Sequence, residues 1–155
     1  MAKLTEKVKS KTHRVLVYGE PKSGKSELAA RLAEKFNILY IDLENGYETL
    51  LKLPQEWKER VEIVSIPDTK VFPIAIETML KIVTGNPVDV CDEHGKVNCA
   101  LCKKDGKPTT RVALNELTED WIVIVDSLTQ LSNSAMNHLT KNQDDTYKPE
   151  WTDYR

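Results

Sequence analysis

The sequence predicts an α/β fold built on a mostly parallel sheet flanked by helices. Apolar runs of strand length alternate with stretches of helical spacing. The strand runs hold several apolar residues in succession, as strands covered on both faces do. A glycine-bounded loop joins the first such run to a helix-forming stretch.

The chain has 155 residues, enough for one domain with a real core. Residues 1–12 read as a polar lead-in, and 13–155 as the core. The first strand is expected over residues 14–18, around Val15-Leu16-Val17-Tyr18, and the first helix over about 25–36. A second strand follows at Ile38-Leu39-Tyr40-Ile41 and a third over 61–66. Residues 71–83 repeat Ile74, Ile76, Met79, Leu80 and Ile82 at helical spacing. Gly, Pro, Asn, Asp and Cys break the pattern between 85 and 110, which reads as an insertion, about 86–110. An apolar strand returns at Trp121-Ile122-Val123-Ile124-Val125, followed by a last helical pattern over about 128–141.

Between the first strand and helix, Gly19-Glu20-Pro21-Lys22-Ser23-Gly24-Lys25-Ser26 spell G-x-x-x-x-G-K-[ST]. Glycine at both ends lets the backbone curl so that successive N–H groups face the phosphates of a nucleotide. Lys25 is expected to reach the β and γ phosphates and Ser26 to hold Mg²⁺. The strand over 121–125 ends in Asp126-Ser127, the form of a Walker B element, and places a carboxylate at the edge where open α/β sheets bind ligands. The bland alternative for Asp126 is a cap on the following helix. The second strand ends in Asp42 and Glu44; Glu44 is a candidate for orienting and deprotonating an attacking water, or else a solvated turn residue.

In that order, the 19–26 loop, Ile41-Asp42-Leu43-Glu44, Pro67-Asp68-Thr69 and Val123-Ile124-Val125-Asp126-Ser127 resemble the RecA-like P-loop ATPases, and among them the small phage nucleotide-binding proteins, some of which act in single-strand annealing and recombination. The resemblance implies ATP and Mg²⁺ as cofactors, Glu44 as the water-activating carboxylate and Asp126 as the Walker B acid. Single-stranded DNA and a homo-oligomer are the partners it suggests. In that family a strand following Walker B inserts between the Walker A and Walker B strands. Residues beyond Asp126 supply one helical pattern and a polar tail, so either the chain is incomplete at its C-terminus, which is the expectation, or its sheet carries an unusual gap.

All three cysteines fall in Cys91-Asp92-Glu93-His94-Gly95-Lys96-Val97-Asn98-Cys99-Ala100-Leu101-Cys102, a C-x2-H-x4-C-x2-C spacing. Cys91, His94, Cys99 and Cys102 suit a tetrahedral, structural Zn²⁺. Free cytosolic thiols with an incidental histidine are the alternative.

A net charge of −2 gives no global attraction to nucleic acid. Local basic clusters lie at Lys3, Lys7, Lys9 and Lys11, and at Lys96, Lys103, Lys104, Lys107 and Arg111. No apolar run reaches the length of a membrane span and the start lacks a secretory signal, so a cytoplasmic protein without a membrane partner is expected. Two other functions fit a phosphate loop: a nucleotide kinase with a zinc-stapled lid, and a nucleotide-dependent interaction module without turnover. A kinase needs arginines on the transferred phosphate, and Arg111 is the only one between Arg60 and Arg155.

Overall fold

A computed structural model describes residues 13–69, 72–140, Glu150 and Thr152. Three strands form the central sheet: β1 (Asn37–Asp42), β2 (Val61–Ser65) and β5 (Trp121–Asp126), in the order β2-β1-β5. Both pairings are parallel, with Tyr40 opposite Ile63 on one side and Ile124 on the other. Five of the six β1 residues are buried. That agrees with its unbroken apolar run, since a central strand of a covered parallel sheet has no solvent face.

Alternation along β1 divides the core in two. Leu39 and Ile41 pack with Val64, Ile66 and α3 (Ile74–Ile82), joined by Leu131 of α5 (Leu128–Thr140). Ile38 and Tyr40 face Ala30 of α1 (Lys25–Ala30), Ala33 of the 3₁₀ turn that continues it, Leu50 of a second 3₁₀ stretch (Tyr47–Lys52) and Leu53 just after it. A single turn, α2 (Gln55–Lys58), brings Trp57 to the same side. Each buried aliphatic side chain contributes about 1.5–3 kcal/mol.

The expected insertion folds as a two-stranded antiparallel hairpin, β3 (Val88–Cys91) and β4 (Thr109–Val112), enclosing the short helix α4 (Ala100–Lys104). It does not hang free. Val90 and Val112 join the core cluster of Ile41 and Ile66. Gly95 lies so close to β2's exit that a Cβ there would fall 2.7 Å from Ile66 Cα, and the Thr78 hydroxyl donates to the Gly95 carbonyl at 2.7 Å.

One expected element is corrected. Residues 14–18 form no strand, and Val15, Leu16, Val17 and Tyr18 are 44–88 % exposed. The segment has strand composition, but no neighbouring strand among the described residues offers it hydrogen bonds or a covered face. The basic cluster at Lys3, Lys7, Lys9 and Lys11 lies outside the described residues.

Candidate functional site

The carboxyl ends of β1 and β5 lie side by side, Asp42 opposite Asp126, and the 19–26 loop comes to the same edge. Within that loop Gly24 has φ +84°, a left-handed value that a glycine takes without a Cβ penalty, and Lys22 takes φ +63° despite its Cβ. Lys25 folds back along the loop, its Nζ donating to the Gly19 carbonyl at 3.0 Å and the Glu20 carbonyl at 2.9 Å. Ser26, in the first turn of α1, donates from Oγ to Asp126 Oδ2 at 2.6 Å, across 100 residues of sequence. The two halves of the expected nucleotide site are thus joined directly.

Asp126 does not cap the helix that follows it. Ser127 does, its Oγ accepting from the Gln130 N–H at 3.2 Å. Asp126 instead receives two hydroxyl donors on one oxygen, Ser26 and Tyr40. The donor set is oxygen only, the hard chemistry that suits Mg²⁺. Burial, reinforced by the adjacent Asp126 carboxylate, holds the Tyr40 hydroxyl well above the ordinary phenol range.

Glu44 lies exposed at the same edge, with Oε1 accepting from the Ser127 hydroxyl. Its loop is held by Asp42, which is 1 % exposed and accepts from the N–H groups of Glu44 and Gly46 at 3.1 Å and of Tyr47 at 3.2 Å. A buried carboxylate needs such compensation. Asp42 accordingly works as a brace for the Glu44 loop, with its hydrogen-bonding capacity spent on backbone.

Sequence reasoning assigned no role to Asp42's brace or to Tyr40. The available signal is strand parity: Tyr40 and Asp42 share a face of β1, while Ile124 and Asp126 share the matching face of β5. A polar-tipped residue two places before a strand-terminal acid is thereby set diagonally to the neighbouring acid.

The second cluster lies in the hairpin. The ligand atoms of Cys91, His94, Cys99 and Cys102 all fall within 4.8 Å of one another. His94 Nδ1 is 3.1 Å from Cys102 Sγ and 3.8 Å from Cys99 Sγ. A zinc tetrahedron with Zn–S bonds of about 2.3 Å spaces its sulfurs about 3.8 Å apart, so the donors fit such a centre in number, chemistry and spacing. Burial and the neighbouring Cys91 and Cys99 thiols push the Cys102 thiol up to about 12, whereas hydrogen bonds from the Cys102 backbone lower that of Cys99. Three thiolates so close together would repel one another, and a divalent cation is the charge that would relieve them.

On the hairpin surface Lys107 pairs with Glu93 and Arg111 with Glu116, each at 2.7 Å. Lys96, Lys103 and Lys104 are exposed and form no ion pair among the described residues. No described helix is long and apolar enough to cross a membrane.

A family model described as an AAA domain matches residues 11–153, nearly the whole chain. The chain belongs to this AAA domain family. Membership supports nucleotide binding and fits ATPase activity, and the parallel sheet with flanking helices fits an α/β P-loop fold. No curated protein and no solved structure matches the chain.

Proposed function

We propose that this AAA-family chain is a Mg²⁺-dependent, RecA-like ATPase acting on single-stranded DNA in phage recombination or replication. The observation that carries the nucleotide site is the Ser26–Asp126 hydrogen bond, which brings the phosphate loop and the end of β5 together at 2.6 Å. Residues 19–24 cradle the phosphates with backbone N–H groups. Lys25 leaves the Gly19 and Glu20 carbonyls for the β and γ phosphates, exchanging two neutral acceptors for charged ones. Ser26 and Asp126 hold Mg²⁺, which when bound draws charge from the phosphate oxygens. Glu44 accepts the proton of the water that attacks the γ phosphorus, with ADP leaving opposite.

Cys91, His94, Cys99 and Cys102 hold a structural zinc that stiffens the hairpin. Exposed Lys96, Lys103 and Lys104 on that hairpin are the candidate contacts for a DNA backbone, which gives them a salt-dependent role. The kinase reading is weaker because Arg111 is engaged with Glu116 on β4's side of the hairpin.

The test is ATP turnover with and without single-stranded DNA, in the wild type, Lys25→Ala and Glu44→Gln. Turnover stimulated by DNA and lost in both variants is expected. Phosphate transfer to a nucleoside monophosphate would replace this reading with a kinase, and nucleotide binding without turnover would replace it with an interaction module.

A further inference from the structure

Tyr40 is 1 % exposed within β1, yet its hydroxyl reaches Asp126 Oδ2, the oxygen that Ser26 also contacts. The register explains the reach. Tyr40 stands opposite Ile124 and Asp42 opposite Asp126, so the phenol extends diagonally along one face to the acid at β5's end. Its ring packs among Ile38, Ala30, Ala33, Leu50 and Leu53, which leaves it little freedom to turn away.

The two donors on Oδ2 therefore differ. Ser26 sits in the first turn of α1 beside the phosphate loop and is only partly buried. Tyr40 is enclosed by the core, and its hydroxyl donates to Asp126 with the Ser26 hydroxyl beside it.

We propose that Tyr40 is a positioning residue for the divalent cation, holding the Asp126 carboxylate in place from within the sheet while Ser26 exchanges Asp126 for the metal. This inference rests on the reading of Ser26 and Asp126 as the magnesium residues. Without the phenol, a strand-terminal carboxylate regains side-chain rotation and must be ordered again whenever the cation binds. Donors that orient a ligating carboxylate are typically worth 10- to 100-fold in metal affinity. Tyr40 touches neither phosphate nor water in this scheme. Its effect falls on the magnesium requirement and leaves metal-free nucleotide contact alone.

The experiment is a magnesium titration of fluorescent ATP-analogue binding to the full chain, with parallel binding in EDTA. Tyr40→Phe removes only the oxygen, Tyr40→Leu removes the oxygen and alters packing, and Asp126→Asn serves as the reference. Tyr40→Phe and Tyr40→Leu should both raise the half-saturating magnesium concentration about tenfold with binding in EDTA unchanged. Wild-type magnesium dependence in Tyr40→Phe, beside a lost dependence in Asp126→Asn, would overturn the role of Tyr40 alone. A shift in Tyr40→Leu but not in Tyr40→Phe assigns the effect to packing and also overturns it. Wild-type behaviour in Asp126→Asn would instead remove the reading of the metal site on which the proposal stands.

Discussion

Two apolar tetrapeptides of nearly the same composition meet opposite fates in this chain. Ile38-Leu39-Tyr40-Ile41 is 0–2 % exposed at the centre of the sheet, whereas Val15-Leu16-Val17-Tyr18 is 44–88 % exposed with no strand beside it among the described residues. Intrinsic β preference is alike in the two. What differs is the company: β1 has a parallel partner on each side and a helical layer on each face. Strand preference measures fit to a covered, paired surface, so composition announces an extended segment without deciding its burial.

The contrast can be broken most severely at the hairpin that covers one side of β1's core. If the Cys91, His94, Cys99 and Cys102 centre holds zinc, chelation should unfold residues 88–112, because such sites contribute on the order of 10 kcal/mol to local folding. Val90 and Val112 would then leave Ile41 and Ile66 uncovered. Elemental analysis should find one zinc per chain, and circular dichroism should follow its removal. Protein purified without zinc yet with an intact hairpin would contradict the centre.

A smaller but still large loss is expected from Ile41→Ala, about 2–5 kcal/mol by denaturant unfolding, because the cavity lies in a closed core. Gly95→Ala comes next. Its φ of +62° disfavours a side chain, and the new Cβ meets Ile66 backbone, which cannot swing aside. Such strain and overpacking cost about 1–3 kcal/mol. Ile66 N–H donates to the Asp42 carbonyl at 2.9 Å, so the disturbance reaches the end of β1. Leu16→Ala should do least, under about 0.5 kcal/mol, since its side chain is already in water. Hydrogen exchange sharpens the same comparison: the amides of 38–42 should be protected and those of 14–18 should exchange rapidly.

Much of this arrangement is legible in the residues. Strands at 37–42 and 121–126 follow from unbroken apolar runs, the strand at 61–65 from Val61, Ile63 and Val64 around Glu62, and α3 and α5 from their helical spacing. The four possible metal ligands stand out because soft ligands are clustered in one short stretch and cysteine occurs nowhere else. The 14–18 segment departs from its expected strand because pairing is non-local: a run of Val and Leu does not say which neighbour is present. A tyrosine inside an apolar run, such as Tyr40, reads as core, which it is. Only the register with β5 reveals that its hydroxyl ends on Asp126. Asp42 is legible as a carboxylate at the sheet edge, but its three backbone donors come from a turn whose path composition does not specify. The helix cap fell to Ser127 and left Asp126 for the site, a choice made by geometry one residue apart.

The most direct test of the nucleotide site joined at Ser26 and Asp126 is calorimetric titration of ATP in the presence of Mg²⁺, repeated with Lys25→Ala and Asp126→Asn. Removing a charge-assisted contact costs about 1.5–3 kcal/mol, so each variant should weaken binding by at least about tenfold. The wild type should also lose affinity when Mg²⁺ is withdrawn. Binding that is indifferent to the metal and unchanged in both variants would place the nucleotide elsewhere and contradict the account.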